Sequence, residues 1–584
     1  MCGIIGFVDK KRKLSRKDRE GILQKMLKEI EYRGYDSTGI FIDENVSIGH
    51  NRLSILDTSQ KANQPFVSRN KNIIFSYNGE IFNHLELRDI TKGYDYATRS
   101  DTETFAVVYE KIKDHVFNLI RGMFAVSLYN IANQKILLSV DGFGIKPLYY
   151  INTPDWFAWS SEVKVFKYLP EFSFSINKDK LFEYGIFRTT VGPETLFKNV
   201  LRVGQGEILK YNIKNDAIEN SNYVYKFDDP QLSIERLLDS SISDHILSDV
   251  PIGLQLSGGV DSSFISVLVN GLIKQSEIHS FSIGLKDPSW NEFLYSREVA
   301  SQIGTKHHEI EFDQLDFCKN LPLATFHLDE PISSPNTVPI MILSREASKY
   351  VKVLLSGEGA DEIFGGYLRY QNLIKKSLNE ETLIFSNSFC SQGDFLKVFN
   401  VEKQDIKERR KISEDLIGKT PVKRLGIYDL KTFLPSLLLR QDKMGMASNL
   451  ENRFPFLDPR LVISVMNLGD NEKCADGQSK VFLKKIARKY LSDQIVDRKK
   501  CGFGLPIKDW LKDESRLGKY LNLFKKPKLK REYLNYENIL NFINEHSSGS
   551  KDNSEILWIL ICLEVWTKIF IDGENYKEVW ENLN

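Results

Sequence analysis

A glycine-rich turn, LSGGVDSS at 256–263, joins the apolar segment IGLQ to the apolar, helix-like segment FISVLVNGL. Ser257, Gly258 and Gly259 have small side chains or none, so a ligand can approach the backbone closely. A helix that begins near Asp261 also presents unpaired N–H groups and its positive dipole end to an anion. The turn therefore predicts a phosphate-binding loop, with a capped strand-to-helix turn as the alternative. No lysine follows the glycines as in GxxxxGKS, so transfer of a terminal phosphoryl group is not indicated.

A second glycine-rich loop, SGEGADEIFGGY, follows the apolar segment VKVLL and contains Glu358, Asp361 and Glu362. Acids beside a phosphate repel it unless a cation lies between them. Magnesium in phosphate sites takes few carboxylates and completes its shell with substrate oxygens. We therefore predict that Asp261 and Asp361 are Mg²⁺ ligands and that Glu358 is free for proton transfer. A solvated acidic loop is the alternative.

The elements around these loops divide the chain into two halves. Up to about residue 210, short alternating or apolar segments such as GIIGFV and KILLSVD predict a strand-rich sandwich. From about residue 230, helical periodicity alternates with buried strands, which predicts an α/β half that becomes mostly helical. The polar segment between them is the predicted linker. Since 584 residues exceed what one core holds, we expect domains 1–214 and 215–584.

Composition narrows the classes of partner. The chain is 42% hydrophobic and 27% charged with a formal net charge of +1, which gives no electrostatic reason to expect nucleic acid or an anionic membrane. Its six cysteines show no CxxC spacing, which argues against a disulfide framework or structural zinc. No secretion signal is visible, and the apolar run ILWILICLEVW is short and contains Glu564. We expect a cytoplasmic protein that acts on small molecules.

The first glycine loop resembles the PP-loop of the ATP pyrophosphatases, which split ATP between the α and β phosphates. Together with SGEGADEIFGGY and KMGMASNLENRFPFLD, it resembles the glutamine-hydrolysing asparagine synthetase family. The resemblance covers nearly the whole chain. It implies an α/β and α+β protein in which an N-terminal αββα sandwich of the Ntn-hydrolase type precedes a PP-loop parallel sheet and a mostly helical region. It also implies ATP and Mg²⁺ as cofactors and a possible homodimer.

In that family the cysteine that matches Cys2 is the nucleophile of glutamine hydrolysis. Removal of Met1 would leave it with an α-amino group, of pKa near 7.7–8.0, as its own general base. The match of YNGEIFNH implies an oxyanion hole formed by the Asn78 side chain and the Gly79 N–H. The match of NRLSILD and RSDTE assigns the glutamine α-carboxylate to Arg52 and its ammonium group to Glu80 and Asp101.

In the second half the resemblance implies that an acceptor carboxylate is adenylated and that ammonia, deprotonated by Glu358, displaces AMP. Lys500 in RKKCGFGLP is the predicted contact to the phosphates and the transition state, with Lys499 as the second choice. The expected acceptor is aspartate, which would become asparagine. The ATP and pyrophosphate contacts implied by the resemblance are Leu256, Ser257, Gly258, Gly259, Asp261, Ser262, Ile283, Ser356 and Gly357.

Two segments depart from the family pattern. YRGYDSTGI stands where asparagine synthetases usually have H-R-G-P-D and is similar to glutamine to fructose-6-phosphate amidotransferases, which have no PP-loop. HLDEPISSPNTVP places Pro335 where one subgroup has an arginine implicated in holding aspartate. A different acceptor, such as a sugar uronic acid of a surface polysaccharide, is therefore an alternative. A PP-loop cyclase and a non-enzymatic binding module are further alternatives.

Overall fold

The structure is a computed structural model that describes residues 2–226, 232–273, 277–376, 378–404, 406–475, 477–498 and 504–583. Lys499 and Lys500, the predicted phosphate contacts, lie outside the described residues.

The N-terminal half is built mainly from antiparallel strands. Its described strands are β1 (Gly3–Asp9), β2 (Ser37–Ile42), β3 (Ser47–Arg52), β4 (Phe66–Val67), β5 (Ile73–Ile81), β6 (Gly122–Asn130), β7 (Lys135–Val140), β8 (Tyr149–Asn152), β9 (Trp156–Ser160), β10 (Leu201–Arg202), β11 (Glu207–Asn212) and β12 (Ala217–Asn222). Its helices are α1 (Arg16–Glu29), α2 (His84–Leu87), α3 (Asp101–Ile112) and α4 (Leu181–Phe187). The strands form two six-stranded sheets, ordered β10-β8-β9-β1-β3-β2 and β12-β11-β7-β6-β5-β4.

Alternation along β1 shows how these sheets are layered. Ile4 and Val8 belong to the core between the two sheets, whereas Ile5 and Phe7 pack with the apolar side of α1. This period of two is that of a strand buried on both faces. On the outer face of the second sheet, residues of β5 pack against α3. The order helix, sheet, sheet, helix is the αββα sandwich that the resemblance implied.

The second half is organised around a five-stranded sheet. Its strands are β13 (Ile252–Gln255), β14 (His279–Leu285), β15 (Lys306–Phe312), β16 (Val353–Leu355) and β17 (Glu451–Arg453). Every pair is parallel, in the order β15-β14-β13-β16-β17. The order reverses between β13 and β16, and ligands of such sheets bind beyond the carboxyl ends of the strands at this point. Both glycine loops begin there.

Helices cover the sheet and form the rest of this half, together with the short hairpin β18 (Cys474–Ala475) and β19 (Gln478–Ser479). They are α5 (Ile234–His245), α6 (Val260–Leu272), α7 (Phe293–Ile303), α8 (Gln314–Leu328), α9 (Thr337–Ala347), α10 (Ala360–Phe364), α11 (Leu368–Lys375), α12 (Glu380–Ile384), α13 (Gln392–Val398), α14 (Lys407–Glu414), α15 (Pro421–Thr432), α16 (Leu434–Met446), α17 (Pro459–Met466), α18 (Asp470–Lys473), α19 (Val481–Ala487), α20 (Asp493–Val496), α21 (Ile507–Trp510), α22 (Asn522–Lys525), α23 (Tyr536–Ser548), α24 (Ser554–Phe570) and α25 (Tyr576–Val579). Among the described residues, no helix has the length and apolar character needed to cross a membrane.

The two halves share hydrophobic cores. Leu53, Phe82 and Met123 of the N-terminal half belong to the same cluster as the residues around β13 and α6. The predicted division at 214/215 falls inside the hairpin of β11 and β12, whose strands pair from Glu207 and Asn222 to Asn212 and Ala217. We therefore propose a boundary beyond Asn222, several residues later than predicted.

Candidate active sites

Cys2 lies immediately before β1 and contacts both sheets of the sandwich. Pairing of Gly3 with Asn51 sets Cys2 opposite Arg52 in the first sheet. The Cys2 backbone nitrogen donates a hydrogen bond of 2.8 Å to Asn78 Oδ1 on β5 of the other sheet. Cys2 is buried, and this burial raises the pKa of its thiol. A base close to the thiol is therefore needed to generate the thiolate.

Asn78 has a hydrogen-bond donor to spare. Its side chain is fully buried, and its Nδ2 atom has no acceptor among the described residues. A buried donor without a partner costs about 1–3 kcal/mol, so native sites usually keep one for a ligand. The amide is held through its oxygen by the Cys2 nitrogen, which leaves Nδ2 available to an oxyanion.

Gly79 occupies a place that no other residue fits. Its φ angle is +148°, and an added Cβ would lie 2.0 Å from the carbonyl oxygen of Met123 on the paired strand β6. Real carbon atoms do not approach an oxygen so closely. The glycine therefore lets β5 follow this path beside Asn78.

Glu80, which follows Gly79 on β5, and Asp101, at the start of α3, are neighbouring acids. Burial and the negative charge of Asp101 raise the pKa of Glu80 well above its usual range, and Arg453 opposes this shift. Glu80 Oε1 has no donor within the described part of the chain, whereas Asp101 Oδ2 accepts a 2.9 Å hydrogen bond from the Ile81 nitrogen. Two neighbouring acids, one with an open oxygen, suit a bound ammonium group.

Arg52 is placed beside Cys2, but its guanidinium is engaged. Its Nη1 donates to the Ser59 carbonyl and to Asn63 Oδ1, both at 3.0 Å, and its Nη2 donates to the carbonyls of Leu56 and Asp57. Four of the five N–H groups of an arginine are thereby used by one loop. Binding of a carboxylate by Arg52, which stays a prediction, requires this loop to release it.

The first glycine loop has the form that its sequence predicts. It leaves β13 at Leu256, and Gly259 caps α6. Gly258 has a φ of +71°, and a Cβ there would lie 2.5 Å from the Ser296 nitrogen. The hydroxyls of Ser257 and Ser262 are 3.0 Å apart, which holds the turn closed around the helix N-terminus.

The second glycine loop packs directly against the first. A Cβ on Gly357 would lie 2.9 Å from the Ser262 nitrogen, so only glycine permits this approach. The Ser356 nitrogen donates to the Arg453 carbonyl at 2.9 Å, which ties the loop to β17. Of the other predicted nucleotide contacts, Leu256 is a core residue and Ile283 is a half-buried residue of β14. The structure therefore brings the loop residues together and leaves Ile283 beside them on the sheet.

Lys480 bridges the two predicted Mg²⁺ ligands. Its Nζ lies 2.5 Å from Asp261 Oδ2 and 2.7 Å from Asp361 Oδ1. The lysine side chain is 4% exposed and the two carboxylates are 18% exposed. The Lys480 ammonium group therefore contacts both carboxylates, which shows that they are close enough together for one small divalent ion to bind both. Lys480 itself was not predicted from the sequence.

Glu358 is held by two donors from α16. Its Oε2 accepts hydrogen bonds from Gln441 Nε2 at 3.0 Å and from Arg440 Nη2 at 3.3 Å. The neighbouring Glu362 is buried, and burial followed by the charge of Asp361 raises its pKa to about 8. The fold thus favours the protonated form of Glu362.

Family models match both halves of the chain. The asparagine synthase model matches residues 233–568 and the glutamine amidotransferase domain model matches residues 1–224. The chain belongs to the asparagine synthase family. It is 29% identical to glutamine-hydrolyzing asparagine synthetase 1 of Bacillus subtilis (strain 168), over 99% of this chain and 98% of that protein. It is 27% identical to glutamine-hydrolyzing asparagine synthetase 3 of the same organism, over 86% of each.

Membership of the asparagine synthase family makes the protein a ligase that uses ATP and takes its amido group from glutamine. Among solved structures, a B. subtilis glutamine phosphoribosylpyrophosphate amidotransferase with ADP and GMP is 15% identical, covers 53% of this chain and 65% of its own, and has a TM-score of 0.29. That similarity is too low to support any assignment.

Two arginines of this asparagine synthase family member were missed by sequence reasoning. Arg33 donates a hydrogen bond from Nε to the Cys2 carbonyl at 3.1 Å. The next residue, Gly34, packs on the backbone of Arg52. Arg498 lies beside Gly259; its Nη2 pairs with Glu292 Oε1 at 2.5 Å, and its buried Nη1 has no acceptor in the described ranges. It is therefore placed to bind a phosphate. Its position directly before Lys499 was the available signal, since the basic segment was recognised.

A cavity of about 370 Å³ has Ser334 in its wall. Arg440 Nη1 donates to Ser334 Oγ at 3.4 Å, which joins the cavity wall to the synthetase site. Pro335 is part of that wall, so the departure from the family pattern faces the cavity. The lining also includes the aromatic residues Phe187, Phe389, Phe433 and Trp558 and the charged residues Arg188, Lys508 and Glu555.

Proposed function

We propose that this protein is a glutamine-dependent asparagine synthetase, which adenylates the side-chain carboxylate of aspartate with ATP and amidates it with ammonia from glutamine. The observation that carries this proposal is the presence of two candidate sites in one chain: a buried cysteine beside an unpartnered amide donor, and two glycine loops meeting at the carboxyl ends of parallel strands. A cytoplasmic location and a homodimer stay expectations from the sequence.

In the glutaminase half, Cys2 is the proposed nucleophile. After removal of Met1, its α-amino group takes the thiol proton and the sulfur attacks the glutamine amide carbon. Charge then develops on the amide oxygen, where Asn78 Nδ2 is free to donate and the Gly79 N–H is the second proposed donor. Ammonia leaves, and water hydrolyses the thioester to release glutamate and restore Cys2.

In the synthetase half, the first glycine loop and Arg498 are proposed to bind the phosphates of ATP. Mg²⁺, held by Asp261 and Asp361, would neutralise charge on the phosphate oxygens. The acceptor carboxylate attacks the α-phosphorus and releases pyrophosphate. Ammonia from the first site, conducted through the interior, then attacks the acyl carbon; Glu358 accepts its proton and AMP leaves. Lys500, outside the described residues, stays the predicted contact to this transition state.

A carboxylate other than that of aspartate is the second candidate acceptor, and the cavity favours it. Position 335 is a proline, which provides no charge to pair with the second carboxylate of aspartate. A volume of about 370 Å³ lies within the range of pockets that hold drug-sized ligands and exceeds what one small amino acid fills. Arg188 in the wall forms an ion pair with Glu555, and its buried Nε has no acceptor among the described residues, so it can still donate to an anionic ligand. A sugar uronic acid meets these requirements.

Product analysis tests the proposal. The purified protein is incubated with glutamine, ATP and Mg²⁺ plus either aspartate or a hexuronic acid, and products are identified by mass spectrometry. Asparagine in equal amount to AMP and pyrophosphate supports the first candidate. An amidated uronic acid with AMP supports the second. Glutamate without AMP for any acceptor would contradict the synthetase assignment.

A further inference from the structure

Seven charged side chains from both halves form one ion cluster, here called the interface cluster, with no member more than 1% exposed. The N-terminal half contributes Arg33, Lys146, Glu162 and Lys164, and the synthetase half contributes Asp329, Asp442 and Lys443. Removal of one member of a buried ion pair is strongly destabilising, because it leaves a charge without compensation. Each member is therefore held firmly in place.

The interface cluster reaches the nucleophile through Arg33. Its Nη2 donates to Asp442 Oδ2 at 2.9 Å, and its Nη1 donates to Glu162 Oε1 at 2.7 Å. Its Nε donates to the Cys2 carbonyl at 3.1 Å. Because a guanidinium is planar and rigid, two fixed carboxylates determine where the third N–H points. One of those two carboxylates belongs to the synthetase half.

A second contact crosses between the halves at the glutamine site. Arg453, on β17, donates from Nη2 to Glu80 Oε2 at 3.2 Å and from Nε to Glu451 Oε1 at 2.6 Å. Its Nη1 binds the carbonyls of His245 and Leu247. The arginine is fully buried, so Glu80 is oriented by a cation that the synthetase half holds rigidly.

Resting on the proposed function, we propose that Asp442 and Arg453 of the synthetase half are positioning residues for glutamine hydrolysis. Asp442 holds Arg33 against the backbone of the nucleophile, and Arg453 holds Glu80 so that its open oxygen faces the ammonium group of glutamine. The glutaminase site is thus completed by its neighbour domain. Asp442 follows directly after Arg440 and Gln441, which bind Glu358, so one turn of α16 contacts both sites.

Substitutions at Asp442 and Arg453 are expected to change different kinetic parameters of glutamine hydrolysis. Asp442→Asn disturbs a group that touches the nucleophile and not the substrate, so kcat for glutamine hydrolysis falls while KM changes less than about threefold. A misplacement near 1 Å costs on the order of 100-fold, which sets the size of the fall at roughly 10- to 100-fold. Arg453→Lys keeps the charge but loses the fork that orients Glu80, so KM rises about tenfold with a smaller change in kcat.

Asp329→Asn is the matched control, because Asp329 is a buried acid of the same cluster that contacts Lys164 and Lys443 and not Arg33. Steady-state glutaminase kinetics, AMP formation with ammonium chloride, and thermal unfolding are measured for all three variants. Asp329→Asn and Asp442→Asn both lose stability, and only Asp442→Asn loses glutaminase kcat. When activity is expressed per amount of folded protein, all three variants keep ammonium-dependent AMP formation.

Equal glutaminase kcat in Asp442→Asn and Asp329→Asn, or an unchanged KM in Arg453→Lys, would overturn the corresponding assignment. If Asp442→Asn does not fold, the variant D442N/K146M removes the carboxylate together with its other partner, whose Nζ lies 3.3 Å away, and decides the question. Absence of glutamine hydrolysis in the unaltered protein would contradict the proposed function instead, so the two failures are distinct.

Discussion

Replacing Lys480 by methionine leaves Asp261 and Asp361 facing one another without their shared cation. The ammonium lies 2.5 and 2.7 Å from the two carboxylates. Breaking a buried ion pair by removal of one partner costs about 3–5 kcal/mol, and the 18% exposure of the acids places this case at about 3 kcal/mol. In a chain of 584 residues the loss corresponds to a fall of roughly 2–3 °C in the apparent Tm.

The informative measurement is the response of the variant to Mg²⁺. If the two acids form the ion site, Mg²⁺ replaces the missing ammonium, and at 100 times its Kd it returns about 2.7 kcal/mol. The unaltered protein gains less, because the ion must compete with Lys480. Differential scanning fluorimetry of both proteins over a Mg²⁺ titration measures the difference, with Lys489→Met as a control because that lysine is 54% exposed. An equal Mg²⁺ response in both proteins, or none in K480M, would refute the assignment of the two acids as Mg²⁺ ligands.

Three further outcomes are expected. Cys2→Ala abolishes glutamine-dependent product and keeps ammonium-dependent product; glutaminase activity in this variant would exclude Cys2 as the nucleophile. Glu362→Gln removes a pH dependence of stability. The Glu362 carboxyl has a pKa of about 8 in the folded protein, whereas in the unfolded chain it loses its proton above about pH 4.5. The free energy of unfolding of the unaltered protein therefore falls by about 1.4 kcal/mol per pH unit between these two values. Urea unfolding at pH 5 and pH 8 tests this prediction. The free energy of unfolding of the variant should increase relative to that of the unaltered protein only as pH rises. Gly79→Ala lowers the free energy of unfolding by about 2–4 kcal/mol, because the new Cβ would lie 2.0 Å from the Met123 carbonyl oxygen. An unchanged unfolding midpoint would contradict this geometry.

The glycine loops were predictable because their chemistry is local. A strand, a tight turn and a helix start lie within a dozen residues, and small side chains are needed where backbones approach, as at Gly258 and Gly357. The assignment of Asp261 and Asp361 to Mg²⁺ stays a prediction. The fold class followed from strand and helix periods, which the structure confirms in both halves.

Contacts between distant segments were not predictable from residue patterns. Lys480 reaches Asp261 across 219 positions of sequence, and nothing in its neighbourhood marks it as a cation of the site. The proposed boundary lies later than the predicted one because β12 is an edge strand whose residues are mostly exposed, and its polar composition resembles that of a linker. The loop bonds of Arg52 escaped prediction because carbonyl acceptors carry no sequence signature.

The separation of 409 residues between Arg33 and Asp442 sets an order of events during synthesis. At about 5–20 residues per second, the ribosome needs roughly 20–80 s to deliver Asp442 after Arg33 has emerged. Under the proposed positioning role, the nascent N-terminal half would have Cys2 throughout that interval but not the carboxylate that aligns it. A growing polypeptide that cannot yet adenylate an acceptor would then hydrolyse glutamine roughly 10- to 100-fold more slowly than the finished protein.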